Sequence, residues 1–112
     1  IGAGVEIKNS IIMNRTNVPH LSYVGDSVIG ERCNLGAGTK VANLRLDEKE
    51  VSVVVDGKKT SSGRRKLGVI MGDDVKTGIN ASIDVGTVIG EGTAIGLGAV
   101  VRGTIAPNSR IF

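Results

Sequence analysis

The sequence holds one histidine, His20, within the string Pro19-His20-Leu21-Ser22-Tyr23-Val24-Gly25-Asp26. An unperturbed imidazole titrates near ~6.5, which suits it to taking up a proton at neutral pH, so His20 is the candidate general base. A second chemical signal is charge. Seven of the fourteen Lys and Arg fall in one stretch, as Arg45, Lys49, Lys58, Lys59, Arg64, Arg65 and Lys66. Such clustering points to an anionic partner more than the formal charge of +3 does. No aromatic residues interleave with these cations, which argues against single-stranded nucleic acid as that partner. The lone Cys33 excludes an internal disulfide framework and reads as a small buried hydrophobe. With no secretory signal at the start, the expected compartment is the reducing cytoplasm. No run approaches the ~20 apolar residues of a membrane span, so no membrane partner is expected.

The elements that must position these groups are legible from a period. Gly accounts for 17 of 112 residues and aromatic residues for 2%, so the core must be aliphatic rather than built on large rings. The residues Ile1, Ile7, Ile12, Val18, Val24, Ile29, Leu35 and Val41, then Met71, Thr77, Ile83, Ile89, Ile95 and Val101, recur every six positions. The step shortens to five at Ile7 to Ile12 and at Val24 to Ile29. Thirteen of the fourteen are apolar, and Gly follows eight of them. Neither a 3.6-residue helix nor simple alternation yields that pattern. Repeated hexads of this kind are the mark of a parallel β-helix. Residues 44–68 break the period, and setting those 25 aside leaves 87, or about five coils of roughly eighteen residues. The domain organisation is therefore one unit over 1–112, with coils 1–43 and 69–112 and an inserted loop 44–68. In the loop, Val51–Val55 with Asp56-Gly57 reads as a strand and tight turn, and Thr60-Ser61-Ser62-Gly63 as a flexible tip. Phase arithmetic adds a stacked line: His20, Ala37, Ile79 and Leu97 each stand two residues past an anchor, and should occupy successive rungs about 4.8 Å apart.

The hexads resemble the left-handed hexapeptide-repeat family, and the hand of the helix is implied by that resemblance. More specifically, Val5-Glu6-Ile7-Lys8-Asn9-Ser10, the His20 string and Asn34-Leu35-Gly36-Ala37-Gly38-Thr39 resemble the acetyltransferase domain of bifunctional N-acetylglucosamine-1-phosphate uridylyltransferases. They are similar also to the related archaeal sugar-1-phosphate nucleotidylyltransferase/acetyltransferases, whose longer loop the 44–68 segment is more like. The resemblance implies an acetyl-CoA-dependent N-acetyltransferase acting on an amino-sugar 1-phosphate in nucleotide-sugar biosynthesis, with His20 as base and Glu6 orienting its ring. It implies Lys8, Tyr23, Asn34, Asn43 and Lys66 as substrate contacts. It lays the pantetheine of acetyl-CoA along the stacked line of Ala37, Ile79 and Leu97, with the Ala37 N–H facing the developing oxyanion. With the sulfur nearest His20, the phase assignment then sends the nucleotide toward the C-terminal coils, where Arg102 and Arg110 are expected to meet the CoA phosphates. The family usually carries small residues where Ile79 and Leu97 stand.

The same family implies a homotrimer with sites between subunits. A zinc hydratase on this fold draws three His from two neighbouring chains, and one His per chain cannot supply two from one subunit; no metal is expected. The alternative to catalysis is a non-catalytic trimerisation module of a sugar-1-phosphate nucleotidylyltransferase, for which the His20 string would have no use. With a start at Ile1 and no Met, the sequence is expected to be a piece of something longer, and the resemblance implies a nucleotidylyltransferase part outside it.

Overall fold

The computed structural model describes residues 2–112; the expected anchor Ile1 lies outside them. Short parallel strands wind around three faces. The first face stacks Glu6–Lys8, Tyr23–Gly25, Lys40–Val41, Ser82–Ile83 and Val100–Val101. Ile11–Ile12, Val28–Ile29, Ile70–Met71, Val88–Ile89 and Thr104–Ile105 make the second. The third combines the bridged residues Asn17 and Asn34 with Lys76–Thr77, Ala94–Ile95 and Arg110–Ile111. Five rungs therefore occupy every face, and Gly2 and Ala3 begin part of a further turn by bonding to Val18 and Leu21.

Side-chain geometry explains the hexad. The described anchors point into the prism, and Val18, Val24, Ile29, Leu35, Val41, Met71, Ile83, Ile89, Ile95 and Val101 are buried. Burying such a side chain stabilises by roughly 1.5–3 kcal/mol, so these ladders dominate the fold's energetics. Two positions before nine of the anchors, from Val24 to Ile95, the interior takes Ser22, Ser27, Cys33, Thr39, Val69, Val75, Ala81, Thr87 and Thr93, all buried. Cys33 has the expected role of a small core residue, and burial pushes its thiol pKa up. The residue after an anchor is crowded by the next coil: a Cβ on Gly78 would come within 2.5 Å of Leu97 N and 2.9 Å of the Gly96 carbonyl carbon. That contact, and not backbone torsion, demands glycine there.

Coil length varies. Ile7 pairs with Val24 and Ile12 with Ile29, 17 residues on; Ile83 pairs with Val101, 18 on; Ile89 pairs with Ile105 and Ile95 with Ile111, 16 on. Ile105 and Ile111 are thus anchors that the six-residue count passes over, because the corner through Gly103 at φ 78 saves residues.

The insertion leaves the corner between the first and second faces. Strands Val51–Val55 and Lys58–Arg64 form an antiparallel hairpin. Its tip is Asp56-Gly57 alone, with φ of 50 and 76, the conformation a two-residue hairpin turn requires. Thr60–Gly63, expected as a flexible tip, instead belong to the return strand, since the tight turn sets a register that carries the pairing on to Ser61 and Arg64, with one irregularity at Val51/Ser52. Thr104 Oγ1 donates to Val54 O and fastens the hairpin to the coil. Among the described residues no helix is long and apolar enough to cross a membrane.

Candidate active site

His20 occupies the corner between the third and first faces. Gly38 N donates to His20 O at 3.0 Å, Asn80 N to Ala37 O at 2.9 Å and Gly98 N to Ile79 O at 2.9 Å. These bonds place His20, Ala37, Ile79 and Leu97 on successive rungs of one corner. Among the described residues, the N–H groups of Ala37, Ile79 and Leu97 donate to no protein acceptor. The corner therefore offers a row of unspent donors, flanked lower down by the exposed side chains of Ile79 and Leu97.

The turn in this corner is made by one residue of positive φ per coil: Gly4, Leu21, Gly38, Asn80 and Gly98. Only Leu21, beside His20, is neither Gly nor Asn, and its φ of 59 carries a cost of roughly 1–2 kcal/mol. Behind Ala37 the ladder changes. Gly78 N and Gly96 N donate to the carbonyls of Ile95 and Ile111, whereas Gly36 N donates to the Thr77 hydroxyl at 3.0 Å. Thr77 Oγ1 lies 3.0 Å from Thr39 Oγ1, and Thr39 Oγ1 donates to Gly36 O at 2.7 Å. The one polar anchor of the repeat thus holds the N–H of the residue before Ala37 directly and touches the Thr39 hydroxyl that holds its carbonyl. Its polarity among thirteen apolar anchors is the sequence signal of that role.

His20 is exposed, and its Nδ1 accepts the Ala3 N–H at 3.1 Å. In this arrangement the neutral ring carries its hydrogen on Nε2. The Glu6 carboxylate makes no hydrogen bond to His20 among the described residues; Glu6 pairs with Tyr23 on the first face.

The opposite edge of that face is built from side chains. Lys8 stands over Gly25, and Tyr23 over Lys40. Asn43 Nδ2 donates to Tyr23 Oη at 3.0 Å and to Asp26 Oδ2 at 2.8 Å. The hairpin's base closes here: Leu67 N donates to Asn43 O, Lys66 is bridged to Leu44, and the Arg64 guanidinium lies 3.6 Å from Asp26. Tyr23, Asn43 and Lys66 thus share an edge, with Lys8 one rung above Gly25.

Three expected site residues stand elsewhere in the chain. Asn34 is exposed on the third face, bridged between Asn17 and Lys76. Arg102, one past its anchor, leaves the first face at the edge away from the Ala37 line. Arg110 points out of the third face and donates to Gly92 O and Ser109 O, both at 3.2 Å. Neither arginine joins the row, because the row is made by residues two past third-face anchors. Arg102 instead lines a cavity of about 770 Å³ beneath the hairpin, with Leu44, Arg45, Val54, Lys59 and Asp84. That cavity includes no residue of the Ala37 line. Among the described residues no cluster of His, Cys, Asp and Glu is suited to a metal ion.

Residues 1–77 match the family model described as the GMPPB C-terminal domain. The chain belongs to that C-terminal domain family. Among curated relatives, the family member here is 61% identical, over 102 residues, to a bifunctional sugar-1-phosphate nucleotidylyltransferase/acetyltransferase of Sulfurisphaera tokodaii, covering 91% of this chain and 25% of that protein. It is 49% identical, over all 112 residues and 27% of the relative, to the bifunctional protein GlmU of Methanocaldococcus jannaschii. The chain therefore spans about a quarter of the length of the curated relatives it matches. Among solved structures, serine acetyltransferase 1 of Entamoeba histolytica in complex with L-cysteine superposes with a TM-score of 0.56 at 17% identity, covering 97% of this chain and 37% of that one. This likeness is one of fold: the domain is the parallel β-helix that the hexads led one to expect, with the left hand that the family resemblance implied.

Proposed function

We propose that this domain transfers the acetyl group of acetyl-CoA to the amine of an amino-sugar 1-phosphate, glucosamine 1-phosphate or galactosamine 1-phosphate, in the making of nucleotide sugars. The observation that carries the reading is the first face itself: His20 and the Ala37 N–H lie on adjacent rungs at one edge, and Tyr23, Asn43 and Lys66 stand at the other. The names of the relatives, a sugar-1-phosphate nucleotidylyltransferase/acetyltransferase among them, support it.

In this mechanism the amine nitrogen attacks the thioester carbonyl carbon as His20 takes its proton. Negative charge collects on the carbonyl oxygen, toward which the Ala37 N–H points; a fixed donor of this kind is worth about 2.7–4 kcal/mol in other acyl-transfer enzymes. The C–S bond then breaks and the thiolate leaves as CoA, taking up a proton. Proton uptake at Nε2 needs the ring hydrogen on Nδ1, so the Ala3 N–H contact must give way to an acceptor, the role proposed for Glu6. The row of N–H groups beside Ile79 and Leu97 receives the pantetheine amides, and the hairpin cations favour the sugar phosphate.

The active form is a homotrimer in the cytoplasm, with sites completed between subunits. Asn34, which faces away from Tyr23 and Asn43 in its own chain, reaches a site only across such a contact. The second face supplies an apolar surface for assembly, with Ile11 61%, Val28 37% and Ile70 40% exposed. Thiol release from acetyl-CoA, measured with each amino-sugar 1-phosphate, tests the activity. Release that does not depend on either sugar overturns it. Light scattering tests assembly, and a fully active monomer would refute it.

A further inference from the structure

Gly25 and Asp26 close the Pro19–Asp26 string but have no part in the chemistry above. We propose that Asp26 is a positioning residue that fixes the hydrogen-bond polarity of the sugar-phosphate edge, leaving Asn43 to accept and Tyr23 to donate toward the ligand. The ligand's identity rests on the proposed acetyltransferase function; the polarity does not.

The Asp26 side chain is 3% exposed, and its backbone N–H is spent on Lys8 O at 2.9 Å. An ionised carboxylate only accepts hydrogen bonds, so the Asn43 atom 2.8 Å from Oδ2 must be the amide nitrogen. The second hydrogen of that nitrogen serves Tyr23 Oη at 3.0 Å. Both Asn43 hydrogens are thereby used, and Oδ1 is left as an acceptor. Tyr23 has accepted one bond, and its own O–H is left to donate. The edge therefore suits a ligand with a hydroxyl or amine facing Asn43 and an oxygen acceptor, such as a phosphate oxygen, facing Tyr23. An amino-sugar phosphate carries both groups.

Two further observations converge on this carboxylate. Gly25 lies outside the left-handed region, so torsion does not require glycine there; an added Cβ would press on Tyr23 Oη and lie 2.7 Å from Asn43 Nδ2. The glycine makes room for the Tyr23–Asn43 contact. On the other side, Arg64 Nη2 stands 3.6 Å from Oδ1, bringing the hairpin's return strand to the same group. One carboxylate oxygen faces Asn43 and the other faces Arg64, both donors.

Asp26→Asn in the intact protein tests the assignment, because its new NH2 must face one of those two donors. The expected result is a rise of roughly tenfold or more in the KM for glucosamine 1-phosphate, with the KM for acetyl-CoA changed less than twofold. Gly25→Ala, which displaces the hydroxyl and amide without altering the carboxylate, should show the same selectivity and decides the matter if Asp26→Asn does not fold. Unchanged sugar KM in the folded variants, or an equal rise in both KM values, overturns the proposal. Calorimetric titration of glucosamine 1-phosphate and galactosamine 1-phosphate separates it from the function. Wild-type protein that binds one of them without acetyl transfer refutes the transfer alone, and the variants are then compared by binding. Wild-type protein that binds neither refutes both.

Discussion

The two edges of the first face are made in opposite ways. At the His20 edge the useful groups are backbone N–H donors, repeated rung after rung by the coil itself, and only His20 contributes a reactive side chain. At the Asn43 edge the useful groups are side chains, none repeated, held by Asp26 and by an insertion that interrupts the coil. A repeating scaffold thus supplies a row of equivalent donors suited to a long, thin ligand, whereas recognition of a compact polar one depends on the residues that break the repeat.

The sharpest test of this contrast is His20→Ala. It should lower the maximal rate by roughly 10²–10⁴-fold while leaving thermal stability nearly unchanged, because the side chain is exposed and its one bond is to Ala3 N–H. Unchanged turnover would favour the reading of the domain as an assembly module. Next in size, Ala37→Leu should fill the space beside the His20 edge and raise the KM for acetyl-CoA about tenfold or more, or abolish turnover, with the sugar KM preserved. Equal effects on both substrates would show that the two edges are not separate. Thr77→Val removes the acceptor for Gly36 N–H and the partner of Thr39 and should cost about 1–3 kcal/mol by denaturant unfolding, with Thr77→Ser retaining most of it. The smallest effect lies away from both edges. Asp74 accepts from Arg32 Nε at 2.8 Å, and this bond holds its carboxyl below the usual range. Its contribution is present above the pH at which an unfolded carboxylate ionises, about 3.9, and fades as pH falls through the lower folded value. Wild type and Asp74→Asn should therefore differ slightly in Tm at neutral pH and converge in acid, the pair being exposed to solvent.

The same contrast decides what could be read in advance. Ladder and line were legible because period and phase are properties of spacing: Val18, Leu35, Thr77 and Ile95 fix where His20, Ala37, Ile79 and Leu97 must stack. Counting by six failed at Ile105 and Ile111, where a glycine corner shortens the coil. The return strand through Thr60–Gly63 was obscured by composition, since Ser and Gly read as loop until the Asp56-Gly57 turn imposes a register. Asp26 and Asn43, each two past a first-face anchor and one coil of 17 residues apart, stack by the same phase rule, whereas the approach of Arg64 from within the insertion is encoded by no period. For Arg102 and Arg110 spacing says less: one lines the cavity beneath the hairpin and the other bonds to Gly92 O, and neither stands two residues past a third-face anchor.

The hairpin leaves and rejoins the coil through a narrow clasp, in which Leu67 N donates to Asn43 O at 3.0 Å and Leu44 is bridged to Lys66. Once the two ends are clasped, the length of what lies between them matters little: each doubling of a flexible loop adds only about 0.6 kcal/mol of closure cost. The corner therefore behaves as a socket. The charge carried on the hairpin can change without altering the donor row at the His20 edge, which the coil's own backbone makes.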